Sequence, residues 1–134
     1  MEKLIISEER VDDGQPVTLI RLTGTVETTN ASSLEETLER IISGQCFRIV
    51  VDLGGVTYIS SAGWGIFISE IKRIRRNGGD IKLAGMNPEV REVFDLLEFN
   101  SILRPLEETG GALREFSAKV NPSDKTADKN AGRN

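Results

Sequence analysis

Two runs rich in β-forming residues, Leu4 to Val11 and Pro16 to Thr23, flank Asp12-Asp13-Gly14-Gln15, whose Asp and Gly residues suit a tight turn. The pattern predicts a hairpin. A polar lead, Thr28-Thr29-Asn30, opens Ala31 to Ile42, where Leu34, Leu38, Ile41 and Ile42 share one face at helical spacing, and Gly44 stops the helix. Phe47 to Leu53 puts Phe47, Ile49, Val51 and Leu53 on one face and Val50 on the other, the pattern of a mostly buried strand, which Gly54-Gly55 is expected to end. From Ser61 to Arg76, Trp64, Phe67, Ile68, Ile71 and Ile74 recur at steps of three or four, and Asn77-Gly78-Gly79 offers a left-handed stop. Ile81 to Ala84 reads as a short strand. Asn87-Pro88-Glu89 reads as an N-cap, a proline at the first helical position and an acid in the first turn, ahead of an amphipathic helix with Val90, Val93, Phe94 and Leu97. Ile102-Leu103 is expected to form a last strand, and Ala112 to Ala118 a terminal helix packed through Leu113 and Phe116.

Strands that alternate with helices after a hairpin imply an α/β fold. Its mixed sheet should have four or five strands and three or four helices, because the hairpin is antiparallel and the later crossovers favour parallel pairing. The 134 residues suit one domain, assigned to residues 1–118. From Ser117 onward there is no Leu, Ile, Phe, Tyr or Trp, so residues 119–134 are expected to be a disordered polar tail. No internal repeat is present.

Composition narrows the chemistry. The chain has no histidine, which excludes histidine triads and histidine-bound zinc. Its carboxylates show no metal-loop spacing, and no GxxxxGKS or GxGxxG segment occurs, so neither a metal nor a cofactor is expected. Net charge is −4, and the body without the tail carries 13 basic against 19 acidic residues, the wrong sign for nucleic acid. Lys72, Arg73, Arg75 and Arg76 form a basic cluster, read as cations complementing the C-terminal end of a helix. No signal-peptide core or membrane-length apolar run appears, which points to a cytoplasmic protein whose Cys46 is a reduced, buried thiol.

The most informative stretch runs from Val51 to Gly65, a buried strand leading through Ile59-Ser60-Ser61-Ala62-Gly63 into the helix that carries Trp64. Two hydroxyls meet a helix start, where free N–H groups suit a serine cap and equally suit an anion. Gly63 and Gly65 would let another backbone come close, and Trp64 is open to two readings, partner anchor or core. A nucleophilic serine is disfavoured, because no histidine can act as its base and no glycine stands two residues before it.

The order of elements, Leu22-Thr23-Gly24 to Glu27, Asp52-Leu53 to Ser61-Ala62-Gly63, Gly78-Gly79 and Asn87-Pro88-Glu89-Val90 together resemble the STAS domain of anti-sigma-factor antagonists. The resemblance covers about residues 3 to 118 and implies a regulatory binding protein, not an enzyme. Such proteins bind an anti-sigma factor that is also a serine kinase, are released by phosphorylation, and are restored by a serine phosphatase. The family pattern, Asp-Ser-Ser or Asp-Ser-Thr before glycine, places the acceptor at Ser61, with Ser60 as second choice. Here the family's aspartate falls on Ser60 and its second hydroxyl on Ala62. The partner surface implied is Glu27, Thr28, Ser60, Ser61, Ala62, Gly63 and Trp64, on a monomer with no membrane or nucleic-acid partner. A STAS adaptor in a lipid-transport or stress-sensing assembly, docking without phosphorylation, is the alternative.

Overall fold

The computed structural model describes residues 3–13 and 15–118; the tail assigned to residues 119–134 lies outside them. Strands β1 (Leu4–Asp13) and β2 (Gln15–Val26) form the antiparallel hairpin, paired from Leu4 opposite Gly24 to Asp13 opposite Gln15. Strands β3 (Arg48–Ile59), β4 (Asp80–Ala84) and β5 (Arg104–Leu106) then add one after another, each parallel to its predecessor, giving a five-stranded sheet in the order β1-β2-β3-β4-β5. The crossovers are α1 (Ala31–Ser43), α2 (Ser61–Arg76) and α3 (Pro88–Leu96), with a 3-10 turn at Phe99–Ser101, and α4 (Thr109–Ala118) follows β5.

The alternation within β3 sorts the core into two. Ile49, Val51 and Leu53 point into the main cluster with Leu34 and Leu38 of α1, Phe67 and Ile74 of α2 and Phe94 of α3. Val50 points the other way, into a smaller cluster with Val17, Leu19, Ala84, Ala112 and Phe116 under α4. Electrostatics hold α4 there as well. Glu115 pairs with Lys82 (3.1 Å) and Arg104, the hydrogen bond from Arg104 and then that from Lys82 hold its carboxyl below the usual range, and Lys82 lies 4.6 Å over the Phe116 ring.

Four expectations are corrected. β3 does not end at Gly54-Gly55 but runs on to Ile59, because Gly55 lets Thr23 and Leu22 of β2 come close and β3 carries one extra residue against β2 at each of two register shifts. The last strand is Arg104–Leu106 rather than Ile102-Leu103: Leu103 is needed in the core, while Pro105 fits an edge strand. Helix α4 begins at Thr109, ahead of Ala112. Val93 and Leu97 are exposed, so α3 buries only Val90 and Phe94. Cys46 is a buried free thiol with Sγ 3.1 Å from Thr18 Oγ1.

A charged residue also hides among the apolar ones. Glu70 of α2 is only 5% exposed and faces Glu39 of α1, with Arg73 beside both. Burial, and then the hydrogen bond and charge shared with Glu39, push the Glu70 carboxyl up to about 7, Glu35 adding and Arg73 opposing. Glu39, which receives hydrogen bonds from Glu70 and Arg73, is held below the ordinary range. An acid whose folded pKa is raised binds more protons folded than unfolded, so stability falls as pH climbs from the unfolded value of 4.5 towards 7. Glu70→Gln, which keeps the donor and removes the titration, should match wild type near pH 5. At pH 8 it should be more stable by on the order of 1 kcal/mol, part of the full shift being offset by half-exposed Glu39; urea denaturation at the two pH values reads the difference.

Candidate functional site

Parallel strands β2 and β3 end side by side, and each hands the chain to a helix there. Ser60 makes the corner. Its N–H donates to Val26 O at the end of β2 (2.7 Å), its carbonyl accepts from Trp64 N–H (3.0 Å), and its hydroxyl oxygen accepts from Gly63 N–H (3.3 Å). Extended φ and ψ of −76° and 170° mark it as the N-cap of α2, so of the two serines it is Ser60 that caps the helix. Ser60 is buried and engaged, whereas Ser61, the first helical residue, is exposed and its hydroxyl has no hydrogen-bond partner among the described residues.

Beside the corner lies the loop from β2 to α1. Asn30 organises it, accepting from Glu27 N–H (2.8 Å) and donating to Thr25 O (3.0 Å), while Thr25 Oγ1 donates to a Glu27 carboxylate oxygen (2.9 Å). Glu27 is therefore a held, half-buried carboxylate rather than a freely solvated one, and Thr28 next to it is exposed. The first turn of α2 itself contains no acid, and its positive end lies on the Ser61 side.

The structure divides the seven predicted surface residues by depth. Ser61 and Thr28 are exposed, Glu27 and Ala62 half-buried, and Ser60, Gly63 and Trp64 buried. Trp64 as an exposed anchor is corrected: at 3% exposure it packs against Phe67, Phe94 and Phe99, with ring centroids 6.3, 5.8 and 5.2 Å away, because helical spacing turns it inward with Phe67 and Ile71. Gly63 serves the fold rather than a visitor, since a Cβ there would stand 2.7 Å from Val26 Cγ1 and 2.8 Å from Ile59 Cγ2. Gly65 is different. It is exposed, and a Cβ there would meet nothing within 4 Å.

The domain also has an exposed apolar part, on Tyr58 and α3, that the periodicity hides. Tyr58, Val93, Leu96 and Leu97 are exposed, and Tyr58 and Val93 line a cleft of about 210 Å³ whose other walls include Ile59, Trp64 and Val90. On α3 the spacing of Val93 and Leu97 mimics a core stripe, and nothing around Tyr58 in the sequence signals exposure. Among the described residues no cluster of His, Cys, Asp and Glu could hold a metal ion, and no helix is long and apolar enough to cross a membrane.

A mixed five-stranded sheet, with a serine-capped helix start beside the ends of β2 and β3, defines a STAS-type α/β domain. The STAS domain family matches residues 9–112, and the chain belongs to that family. It is 40% identical over 81 residues to BtrV of Bordetella bronchiseptica, provisionally named an anti-sigma factor antagonist, covering 60% of this chain and 70% of that one. A Thermotoga maritima structure, likewise provisionally titled an anti-sigma factor antagonist, has a TM-score of 0.75 at 22% identity, over 82% of this chain and 92% of its own. The anti-sigma factor antagonist SpoIIAA in its unphosphorylated form has a TM-score of 0.67 at 16% identity, over 87% and 100%. Its phosphorylated form scores 0.65 at 16% identity, over 84% and 99%.

The contrast between the two glycines is testable by urea denaturation of single variants. Gly63→Ala should cost about 1–3 kcal/mol by forcing α2 off Val26 and Ile59. Gly65→Ala should gain about 0.5–1 kcal/mol, the ordinary benefit of removing an unneeded helical glycine.

Proposed function

We propose that this protein is an anti-sigma factor antagonist that binds its anti-sigma factor, itself a serine kinase, through the surface around Ser61, and that phosphorylation of Ser61 releases it. A serine phosphatase then restores the binding form. The protein works in the cytoplasm, as a monomer and without catalysis of its own. The supporting observation is the division of labour between the two serines: Ser60 carries the cap inward, and Ser61 stands outside with its hydroxyl free.

The energetics of such a switch follow from that placement. A phosphate on Ser61 adds close to two negative charges at the positive end of α2, so the fold tolerates the modification. A partner surface that covers the neutral hydroxyl would instead desolvate a dianion at a cost of several kcal/mol. About 4 kcal/mol corresponds to roughly a thousandfold loss of affinity. Ser60 in place of the family's aspartate keeps the capping oxygen and removes only a charge, so the site's geometry survives the departure.

One observation favours a second reading, an adaptor that docks without being phosphorylated: no carboxylate lies in the first turn of α2 for a kinase to recognise. Incubation with the cognate kinase and ATP, followed by mass spectrometry of intact protein and peptides, separates the two. Transfer of one phosphoryl group to Ser61 supports the switch, and no transfer supports the adaptor. By titration calorimetry against the anti-sigma factor, Ser61→Ala should bind like unmodified wild type and Ser61→Asp about 10–100-fold more weakly, a single charge imitating the phosphate incompletely. Equal affinities for wild type, Ser61→Asp and phosphorylated protein would remove the mechanism.

A further inference from the structure

The basic run near the end of α2 is not uniformly engaged. Arg73 turns to Glu39 (2.9 Å) and Arg75 to Asp80 (3.2 Å), whereas Lys72 and Arg76 have no carboxylate within ion-pairing distance among the described residues. Lys72, Arg75 and Arg76 stand along a groove of about 580 Å³ between α2 and the segment after the 3-10 turn, together with Ile68, Ile71 and Ile102. Positions 68, 71, 72, 75 and 76 form one stripe of the helix, so Ile68 and Ile71 lie towards its middle and Lys72, Arg75 and Arg76 follow towards its end. The two chemistries are therefore segregated along the groove.

We propose that this groove binds a free fatty acid, its hydrocarbon chain over Ile68, Ile71 and Ile102 and its carboxylate held by Lys72 and Arg76. The volume lies within the range of small-molecule sites. The long stems of Lys72 and Arg76 can lie against a hydrocarbon chain while their charged ends meet the head group at the water boundary. Charge selects the occupant. The body of the protein carries 13 basic against 19 acidic residues, and here two cations without a carboxylate partner, Lys72 and Arg76, stand beside apolar walls. The chain's own segment from Ser117 onward has four basic and two acidic residues, the same sign as the groove, and is not the complement it needs. A nucleotide is matched less well, since the groove has no aromatic wall on which a base could stack.

The test is titration of the full chain with decanoate below its micellar concentration, read by calorimetry and by the methyl NMR signals of the isoleucines. Saturation of one site, with shifts concentrated at Ile68, Ile71 and Ile102, is expected. Decanol should bind about tenfold more weakly or worse. The double variant Lys72→Gln/Arg76→Gln, which changes two exposed side chains, should keep its melting temperature and lose at least about tenfold in decanoate affinity with decanol unaffected. Absence of saturation, shifts mapping elsewhere, or equal decanoate affinity of wild type and variant would overturn the proposal. So would binding to phosphatidylglycerol vesicles without binding to dissolved decanoate, or a dimer that the double variant abolishes. None of these readouts involves Ser61, so the result stands apart from that of the phosphorylation experiment.

Discussion

The arrangement of the site depends on how closely the first turn of α2 is pinned to the sheet. Three hydrogen bonds converge on Ser60, to Val26 at the end of β2 and to Gly63 and Trp64 one turn on, and the missing side chain of Gly63 lets Val26 and Ile59 press against the helix. Once Ser60 is committed to the cap, helical geometry leaves Ser61 no place inside. Its exposure is thus a by-product of the cap, and the aromatic packing of Trp64 against Phe67, Phe94 and Phe99 locks the same turn from beneath.

That rigidity bears on how a modification there can act. With the Ser60 cap already formed, an anion proposed at the helix start would have little to rearrange, and its effect would be directed outward, to whatever covers the surface. The interior beneath it is packed on both faces of one sheet.

Much of this was legible in the chain itself, for physical reasons that differ from element to element. Helix α2 could be read to its ends because apolar spacing, a serine cap and Asn77-Gly78 all agree. The start of α3 was equally clear from Asn87, whose side chain does accept from Val90 N–H at 2.8 Å. The end of strand β3 is not legible, because glycine marks both a strand's end and a bulge within it, and only the neighbouring strand tells which. For the site, adjacent serines cannot be ranked from residue type, since either could cap; the register against Val26 decides. Trp64 and Glu70 differ sharply in polarity, yet both are buried. The burial of Glu70 is not legible locally, because it depends on α1 supplying Glu39, a tertiary neighbour that no local pattern announces.

The strand order has a consequence for how the chain is made. Because every strand pairs only with those before and after it in the sequence, each new segment leaving the ribosome can extend the sheet at its growing edge without any earlier pair being broken. The corner at Ser60 needs only β2, β3 and the start of α2, so its hydrogen-bonding partners have all been synthesised well before β5 and α4 emerge to close the far side. At that far side the growing edge is finished by a strand of three residues with a proline in its middle, a poor template for any further strand.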